Sequence, residues 1–178
     1  MPESSPRPDR AGLPTLALAV ALSLGAAVSL GLTRFSYALL LPPMRADLGW
    51  SYLLAGGMNT ANAVGYLVGA LAMPLLLRRH APATSLLVGT ALATLLMAAC
   101  GFLLGAPALL LQRLLAGIAS AVVFVAGGLM AARLGALDPR RSGLLLGVYY
   151  GGVGWGIAAS ALLVPLVLAH APGLHNWA

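Results

Sequence analysis

The sequence predicts an all-α polytopic membrane protein with about five transmembrane helices. Hydrophobic residues make up 60% of its 178 residues and charged residues only 8%, whereas soluble domains carry roughly 25% charged residues. Long stretches without Asp, Glu, Lys or Arg include 11–33, 49–77, 114–132 and 142–169. A helix needs about 20 apolar residues to cross the hydrocarbon core, and each stretch is long enough to do so. A soluble fold is therefore excluded.

The predicted elements alternate apolar runs with short polar breaks. Residues 1–12 hold three prolines and form a polar tail that we expect to be disordered and cytoplasmic. The five helices are expected at about 13–41, 52–77, 84–104, 108–133 and 144–169. The first run is too long for the core of a signal peptide, roughly 7 to 15 residues, so it should stay in the membrane. Residues 172–178 form the outer-side end, where a missing sixth helix would start.

Prolines and basic residues mark the predicted helix ends. Pro42 and Pro43, with the pair Arg45 and Asp47, should break the first helix, and the basic run 78–80 should stop the second. The turn 105–107 joins the third helix to the fourth, and the polar loop 133–143 joins the fourth to the fifth.

The distribution of arginine predicts the orientation, because cytoplasmic loops are enriched in Lys and Arg. With the N-terminus inside, the arginines facing the cytoplasm are Arg7, Arg10, Arg78, Arg79, Arg133, Arg140 and Arg141. Only Arg45 then lies clearly in an outer loop. We expect a multi-pass protein of the plasma membrane, a bacterial inner membrane, with the lipid bilayer as partner. The net charge of +6 does not indicate nucleic acid, since these arginines lie between apolar runs rather than on a polar face.

Two arginines, Arg34 and Arg113, fall inside predicted spans. An arginine near the middle of a spanning helix costs roughly 2.5–3.5 kcal/mol on insertion scales, so it normally faces a bundle interior or a water-filled cavity. Counted along each helix, both lie roughly 10 Å below the outer boundary. They are expected to share one polar layer.

Other polar side chains are predicted at the same depth. Asn59 and Asn62 lie on one face of the second helix by their spacing, Tyr66 extends that face, and Tyr37 stands three residues from Arg34. Our hypothesis is that a solute pathway is lined by Arg34, Tyr37, Asn59, Asn62, Tyr66 and Arg113. The arginines would favour an anionic group such as a carboxylate. Two alternatives stay open. Such side chains also join helices to one another through hydrogen bonds, and the side chain of Arg113 can extend to the outer membrane–water interface.

The fifth helix is rich in glycine. Helix packing, or gating as a special use of that packing, is expected at Gly147, Gly151, Gly152, Gly154 and Gly156. Pairs of small residues four apart let two backbones approach closely. The spacing does not show which of Tyr149, Tyr150 and Trp155 face a cavity.

Enzyme chemistry is not predicted. His80 lies on the opposite side of the membrane from His170 and His175, so the three cannot share a metal site. An intramembrane serine protease would need a serine and a histidine at one depth, and Ser142 lies in a loop far from His170. With four acidic residues in the whole chain, carboxylate catalysis is improbable. No cofactor or metal is expected.

Several segments resemble a known family. They are Arg34-Phe35-Ser36-Tyr37 with Leu41-Pro42, the run Asn62 to Ala70, Gly151-Gly152-Val153-Gly154-Trp155-Gly156, and Arg113 followed by Gly117. Together they resemble the N-terminal half of a major facilitator superfamily transporter, most closely its YbfB/YjiJ-like branch. The acidic residue usual in that superfamily after the second helix is replaced by an apolar residue near Met73. The fifth helix also lacks the proline of the antiporter motif, so drug/proton antiport is not supported.

The resemblance implies a secondary carrier that works by alternating access between two six-helix halves. This chain would then be a partial N-terminal six-helix bundle of a major facilitator fold, a truncated half whose partners are a small-molecule solute and the missing C-terminal half. Helices one and four line the cavity in that fold. The alternative from another class is a non-catalytic membrane subunit that packs against a different protein.

Overall fold

Five long helices form the part of the chain that the computed structural model describes, residues 12–102 and 105–170. No strand occurs in those two ranges. The helices long and apolar enough to cross a membrane are Thr15–Asp47, Tyr52–Arg79, Pro82–Cys100, Ala106–Leu137 and Pro139–His170, here called the first to fifth spans. The predicted all-α membrane architecture with five crossings is confirmed. The expected tail and outer-side end lie outside the described residues, apart from Gly12.

The first span is one continuous helix with three geometries. Its α-helical part Gly12–Ala26 continues as a π-helix over Ala27–Ser36 and becomes α-helical again over Tyr37–Asp47. The predicted end of the helix near residue 41 is therefore wrong, since Pro42 and Pro43 lie inside the last part. The helix ends at Asp47, the last residue of the predicted polar break. Proline removes a backbone donor, but local helical adjustment in membrane proteins compensates for the freed carbonyls.

The first span ends instead at a glycine cap. Gly49 adopts a φ of 65°, a left-handed conformation that glycine accepts without strain. The amide of Trp50 donates to the Arg45 carbonyl at 3.0 Å, the bond expected when glycine terminates a helix in this way.

The other spans begin at recognisable caps. The Ser51 hydroxyl accepts the amide of Leu54 at 3.2 Å and starts the second span. Proline stands in the first turn of the third span at Pro82 and of the fourth at Pro107, where its missing N–H is not needed. The fifth span begins with a short 3-10 turn, Pro139–Arg141, before the α-helix Ser142–His170.

The fourth span is the centre of the bundle. In its most apolar window 56% of residues are buried, against 33% or less in each other span. It meets the second span backbone to backbone, because a Cβ at Gly65 would overlap the Leu114 carbonyl and one at Gly117 the Asn62 carbonyl. Small residues permit this approach, which maximises van der Waals contact between helices in lipid.

The first and fifth spans pack in the same way. A Cβ on Gly152 would overlap the carbonyl of Ser23, and one on Gly31 would lie 2.5 Å from the Gly156 Cα. Large apolar side chains are exposed on the surface of the bundle, including Leu53, Leu71, Leu87 and Leu162. Such a surface suits hydrocarbon rather than water.

Candidate functional site

Arg113 is enclosed by the first and fourth spans. Its side chain has no exposed surface, and its Nη1 donates to the Thr33 carbonyl at 3.4 Å. Within the described residues, Nε and Nη2 find no hydrogen-bond partner. The guanidinium carbon lies 3.8 Å from the centre of the Tyr37 ring, which stabilises the cation through its π face. The charge is thus only partly compensated.

Tyr37 completes this buried contact. It is almost fully buried, and its hydroxyl has no hydrogen-bond partner in the part of the chain that the structure describes. The ring therefore supports Arg113, while the phenol leaves a polar atom inside the bundle unsatisfied.

Arg34 has the opposite environment. It is exposed, and with Phe35, Ala38 and Asn59 it lines an open groove of about 290 Å³. No hydrogen bond or ion pair to Arg34 occurs among the described residues, although its charge is within electrostatic range of Tyr66. The Arg34 guanidinium is thus exposed and unpaired within the described residues.

The buried side chain of Arg113 meets the first span close to Arg34 in the chain. Arg113 contacts the carbonyl of Thr33 and the ring of Tyr37, which flank Arg34 in the chain. The two positive charges are close enough to interact unfavourably. Arg34 therefore lines the groove, while the charge of Arg113 lies buried nearby.

The two predicted asparagines of the second span separate. Asn62 is 5% exposed, and its Nδ2 donates to the backbone carbonyl of Arg113 at 3.0 Å. Asn59 instead lines the groove beside Arg34. Tyr66 is partly buried, and its backbone lies against Gly117. The side-chain amide of Asn62 therefore joins two helices, whereas that of Asn59, three residues earlier, is exposed.

The glycines of the fifth span also divide by face. Gly152 and Gly156 touch the first span, while Gly147, Gly151 and Gly154 have no neighbouring atom within 4 Å of the place where a Cβ would stand. Among the nearby aromatic residues, Tyr149 is buried and donates to the Phe124 carbonyl at 2.7 Å. Tyr150 is half-exposed and Trp155 is 78% exposed.

Comparison with known families agrees with this architecture. A family model described as an uncharacterised MFS-type transporter, YbfB, matches residues 26–178, where MFS denotes the major facilitator superfamily. The chain belongs to this family. The sequence resemblance to the YbfB-like branch is confirmed. No curated protein and no solved structure matches the chain.

This MFS-type chain also carries a polar seam that the sequence analysis missed. The hydroxyls of Thr33 and Ser120 lie 3.2 Å apart, and those of Ser36 and Ser160 lie 3.0 Å apart. The first pair joins the first span to the fourth, and the second pair joins it to the fifth. Hydroxyls within apolar runs were the available signal, because such residues bond across membrane helices.

Acidic and metal-ligating side chains are sparse in this MFS-type chain. The described residues contain no cluster of three or more His, Cys, Asp or Glu side chains that could hold a metal ion. Its membership of a transporter family points to movement of a solute across the membrane.

Proposed function

We propose that the chain forms part of a secondary carrier that moves a small anionic solute by alternating access. The observation that supports this most directly is Arg34, an exposed guanidinium in a membrane-spanning helix that has no counter-charge among the described residues. It lines a groove of about 290 Å³ together with Asn59, an amide that can bond the same ligand. A guanidinium binds carboxylate or phosphate through two parallel hydrogen bonds.

The surroundings of Arg34 determine the free-energy cost of its charge. A cation held in hydrocarbon costs several kcal/mol unless water, an anion or another polar group reaches it. Arg34 lies in the middle of the first span, Thr15–Asp47, too deep for its side chain to pass simply into bulk water at a helix end. A hydrated pathway beside the groove removes this cost, and an anionic solute compensates the charge fully.

Arg113 acts behind this site in the proposed mechanism. Its guanidinium is sealed by Thr33 and Tyr37 and does not reach the groove. It raises the positive potential around Arg34. We assign Asn62 a structural supporting role, since its amide bonds the fourth-span backbone.

The complete carrier needs a second half facing the groove. This part of the proposal rests on the family resemblance, in which the site lies between two halves near the membrane midplane. The groove of Arg34 is open, and Gly147, Gly151 and Gly154 offer a smooth face with no neighbour within 4 Å. We place the N-terminus in the cytoplasm of a bacterial inner membrane on the arginine distribution.

A packing subunit is the competing function. The open glycine face of the fifth span favours it, because three small residues there can receive a partner helix without any solute. The two proposals differ in whether a small anion binds at Arg34.

Thermal stabilisation of the complete carrier by a library of small anions tests the proposal. At least one carboxylate or phosphate should raise the unfolding midpoint of the wild type, and Arg34→Ala should weaken its binding by roughly 10- to 100-fold, the loss of a charge-assisted pair. Arg34→Lys should recover part of it. Arg45→Ala is the matched control, since Arg45 packs over Tyr52 at the outer end.

Transport by the same variants gives the decisive result. Uptake of the stabilising anion should fall with Arg34→Ala and persist with Arg45→Ala. Unchanged uptake of every responsive solute in Arg34→Ala would overturn the site. Stabilisation by no anion, with assembly dependent on the glycine face, would support the packing subunit.

A further inference from the structure

A second groove lies on the lipid-facing surface of the bundle, away from Arg34. It encloses about 250 Å³ where the end of the second span and the start of the third separate over the fourth. Its apolar lining includes Leu76, Val88, Leu92, Ile118 and Val122. Val88 and Leu92 are themselves largely exposed, so the groove opens toward the surrounding lipid.

One polar atom in this groove lacks a partner. Ser85 lines the groove and is 4% exposed, yet no hydrogen-bond partner for its Oγ exists among the described residues. Serines in helices often bond the carbonyl four residues earlier, as Ser160 does with Gly156 at 2.9 Å. An unpaired buried hydroxyl is unfavourable, and a ligand with an acceptor oxygen at this depth would satisfy it.

Basic, hydroxyl and apolar residues follow one another in a defined order at the groove. His80 lies at one end of its lining, directly after the exposed pair Arg78 and Arg79. Ser85 is the fourth residue of the third span and lies roughly 5 Å from the start of that helix. Beyond it the groove is apolar past Val88 to Leu92. A glycerophospholipid presents the same order: an anionic phosphate, then ester oxygens, then an acyl chain.

We propose that this groove binds one anionic phospholipid. The phosphate lies at His80 and the adjoining arginines, an ester oxygen accepts the Ser85 hydroxyl, and one acyl chain follows the apolar wall. Basic pockets at the cytoplasmic ends of spanning helices attract anionic head groups. The orientation inferred from the arginines places this lipid in the cytoplasmic leaflet. The site is independent of solute binding at Arg34.

The acyl-chain part is tested by two neighbouring tryptophan substitutions. The purified full-length chain is titrated in detergent with phosphatidylglycerol, and retained lipid is counted by native mass spectrometry. Val88→Trp should fill the groove and weaken retention at least tenfold. Leu87→Trp is the matched control, because Leu87 is 70% exposed on the same helix but does not line the groove. Equal retention by both variants would overturn the proposal.

The head-group part is tested by two arginine pairs. Each basic residue near a membrane surface contributes about fivefold in affinity for anionic lipid, so Arg78→Ala with Arg79→Ala should weaken binding of phosphatidylglycerol by roughly 25-fold. Phosphatidylcholine should bind at least tenfold more weakly to the wild type. Arg140→Ala with Arg141→Ala should change neither value, and equal losses from both pairs would contradict a local site.

Ser85→Ala and a competition experiment separate the lipid from free phosphate. The substitution should weaken lipid retention roughly two- to tenfold, the value of one hydrogen bond, without lowering the unfolding midpoint of the lipid-free chain. Inorganic phosphate at millimolar concentration should not displace the lipid. Displacement by phosphate, or unchanged retention in Ser85→Ala, would overturn the assignment.

Discussion

At the scale of single residues, the two intramembrane arginines illustrate how position decides the role of a charge. Arg113 has no exposed surface and keeps two nitrogen atoms without a partner within the described residues. Arg34, which belongs to the first span, lines an open groove. The buried cation is poorly compensated, so it is not a source of folding stability.

Replacing Arg113 by an apolar chain of similar length should separate stability from transport. In Arg113→Met the partly paired charge is removed and its volume is largely kept, so we expect the unfolding free energy of the purified chain to rise by about 1–3 kcal/mol. Transport by the complete carrier should fall, because the potential at Arg34 drops. Chemical denaturation measures the first effect. A loss of stability greater than about 1 kcal/mol would instead identify Arg113 as interhelical glue.

Two tyrosines offer a matched pair for the cost of an unsatisfied hydroxyl. The Tyr37 hydroxyl is buried without a partner in the described chain, whereas the Tyr149 hydroxyl donates to Phe124. We expect Tyr37→Phe to raise the unfolding free energy by about 1 kcal/mol and Tyr149→Phe to lower it by about 1 kcal/mol. Equilibrium unfolding of both variants checks this. Destabilisation by Tyr37→Phe would show instead that a bound group forms a hydrogen bond with the Tyr37 hydroxyl.

At the scale of elements, the fifth span presents two glycine faces with different surroundings. Gly152 and Gly156 contact the backbone of the first span, whereas no atom lies within 4 Å of the place where a Cβ would stand on Gly147, Gly151 or Gly154. The spacing alone predicts packing for all five positions. The difference arises because only one face of a helix can meet a given neighbour, and rotation about the axis is set by the whole bundle.

Adjacent alanine substitutions test that division. Gly152→Ala should lower the unfolding free energy of the purified chain by at least about 2 kcal/mol, because its Cβ would overlap the Ser23 carbonyl. Gly151→Ala has open space and gains helix propensity, so stability should stay constant or rise by about 0.5–1 kcal/mol. Thermal unfolding compares the two. Equal effects would contradict the described contact between the first and fifth spans.

The first span shows a limit of local signals. Pro42 and Pro43 predict a break, yet the helix continues to Asp47 and stops at Gly49. The π-helical part Ala27–Ser36 has no sequence signature that we identified. Both features depend on how backbone groups are satisfied inside the bundle, which a local pattern does not record.

At the scale of the whole molecule, the bundle separates a polar groove from a lipid-facing surface. Asn59 and Arg34 line the groove, and Leu95, in the third span, is 68% exposed on a purely apolar helix face. The proposed carrier requires water to reach Asn59 and Arg34 and lipid to cover Leu95.

Thiol labelling of the complete carrier tests this separation. In a Cys100→Ala background, Arg34→Cys and Asn59→Cys should react with a membrane-impermeant maleimide at least tenfold faster than Leu95→Cys, because thiolate forms only where water enters. A bound anionic solute should slow the reaction at position 34. Equal protection of all three positions would remove the case for a hydrated pathway.

Orientation is a further property of the whole chain. If the N-terminus is cytoplasmic, Gly49→Cys should react with the same reagent in intact cells, and His80→Cys only after permeabilisation. These positions lie at opposite ends of the second span, Tyr52–Arg79, so one pair of measurements decides between the two topologies. The reverse pattern would invert the inferred leaflet of the phospholipid as well.

The sequence by itself determined the class of protein, the five apolar spans and the family, because hydrophobic length and characteristic segments are properties of the linear chain. It also marked Arg34 and Arg113 as unusual, since charge in hydrocarbon is costly wherever the helices lie. Only the tertiary structure decided that Arg113 is sealed and Arg34 open, that Asn62 bonds a backbone while Asn59 faces the groove, and that Ser85 lacks a partner. The rotation of each helix about its axis depends on all its neighbours at once, and that rotation decides which atoms meet.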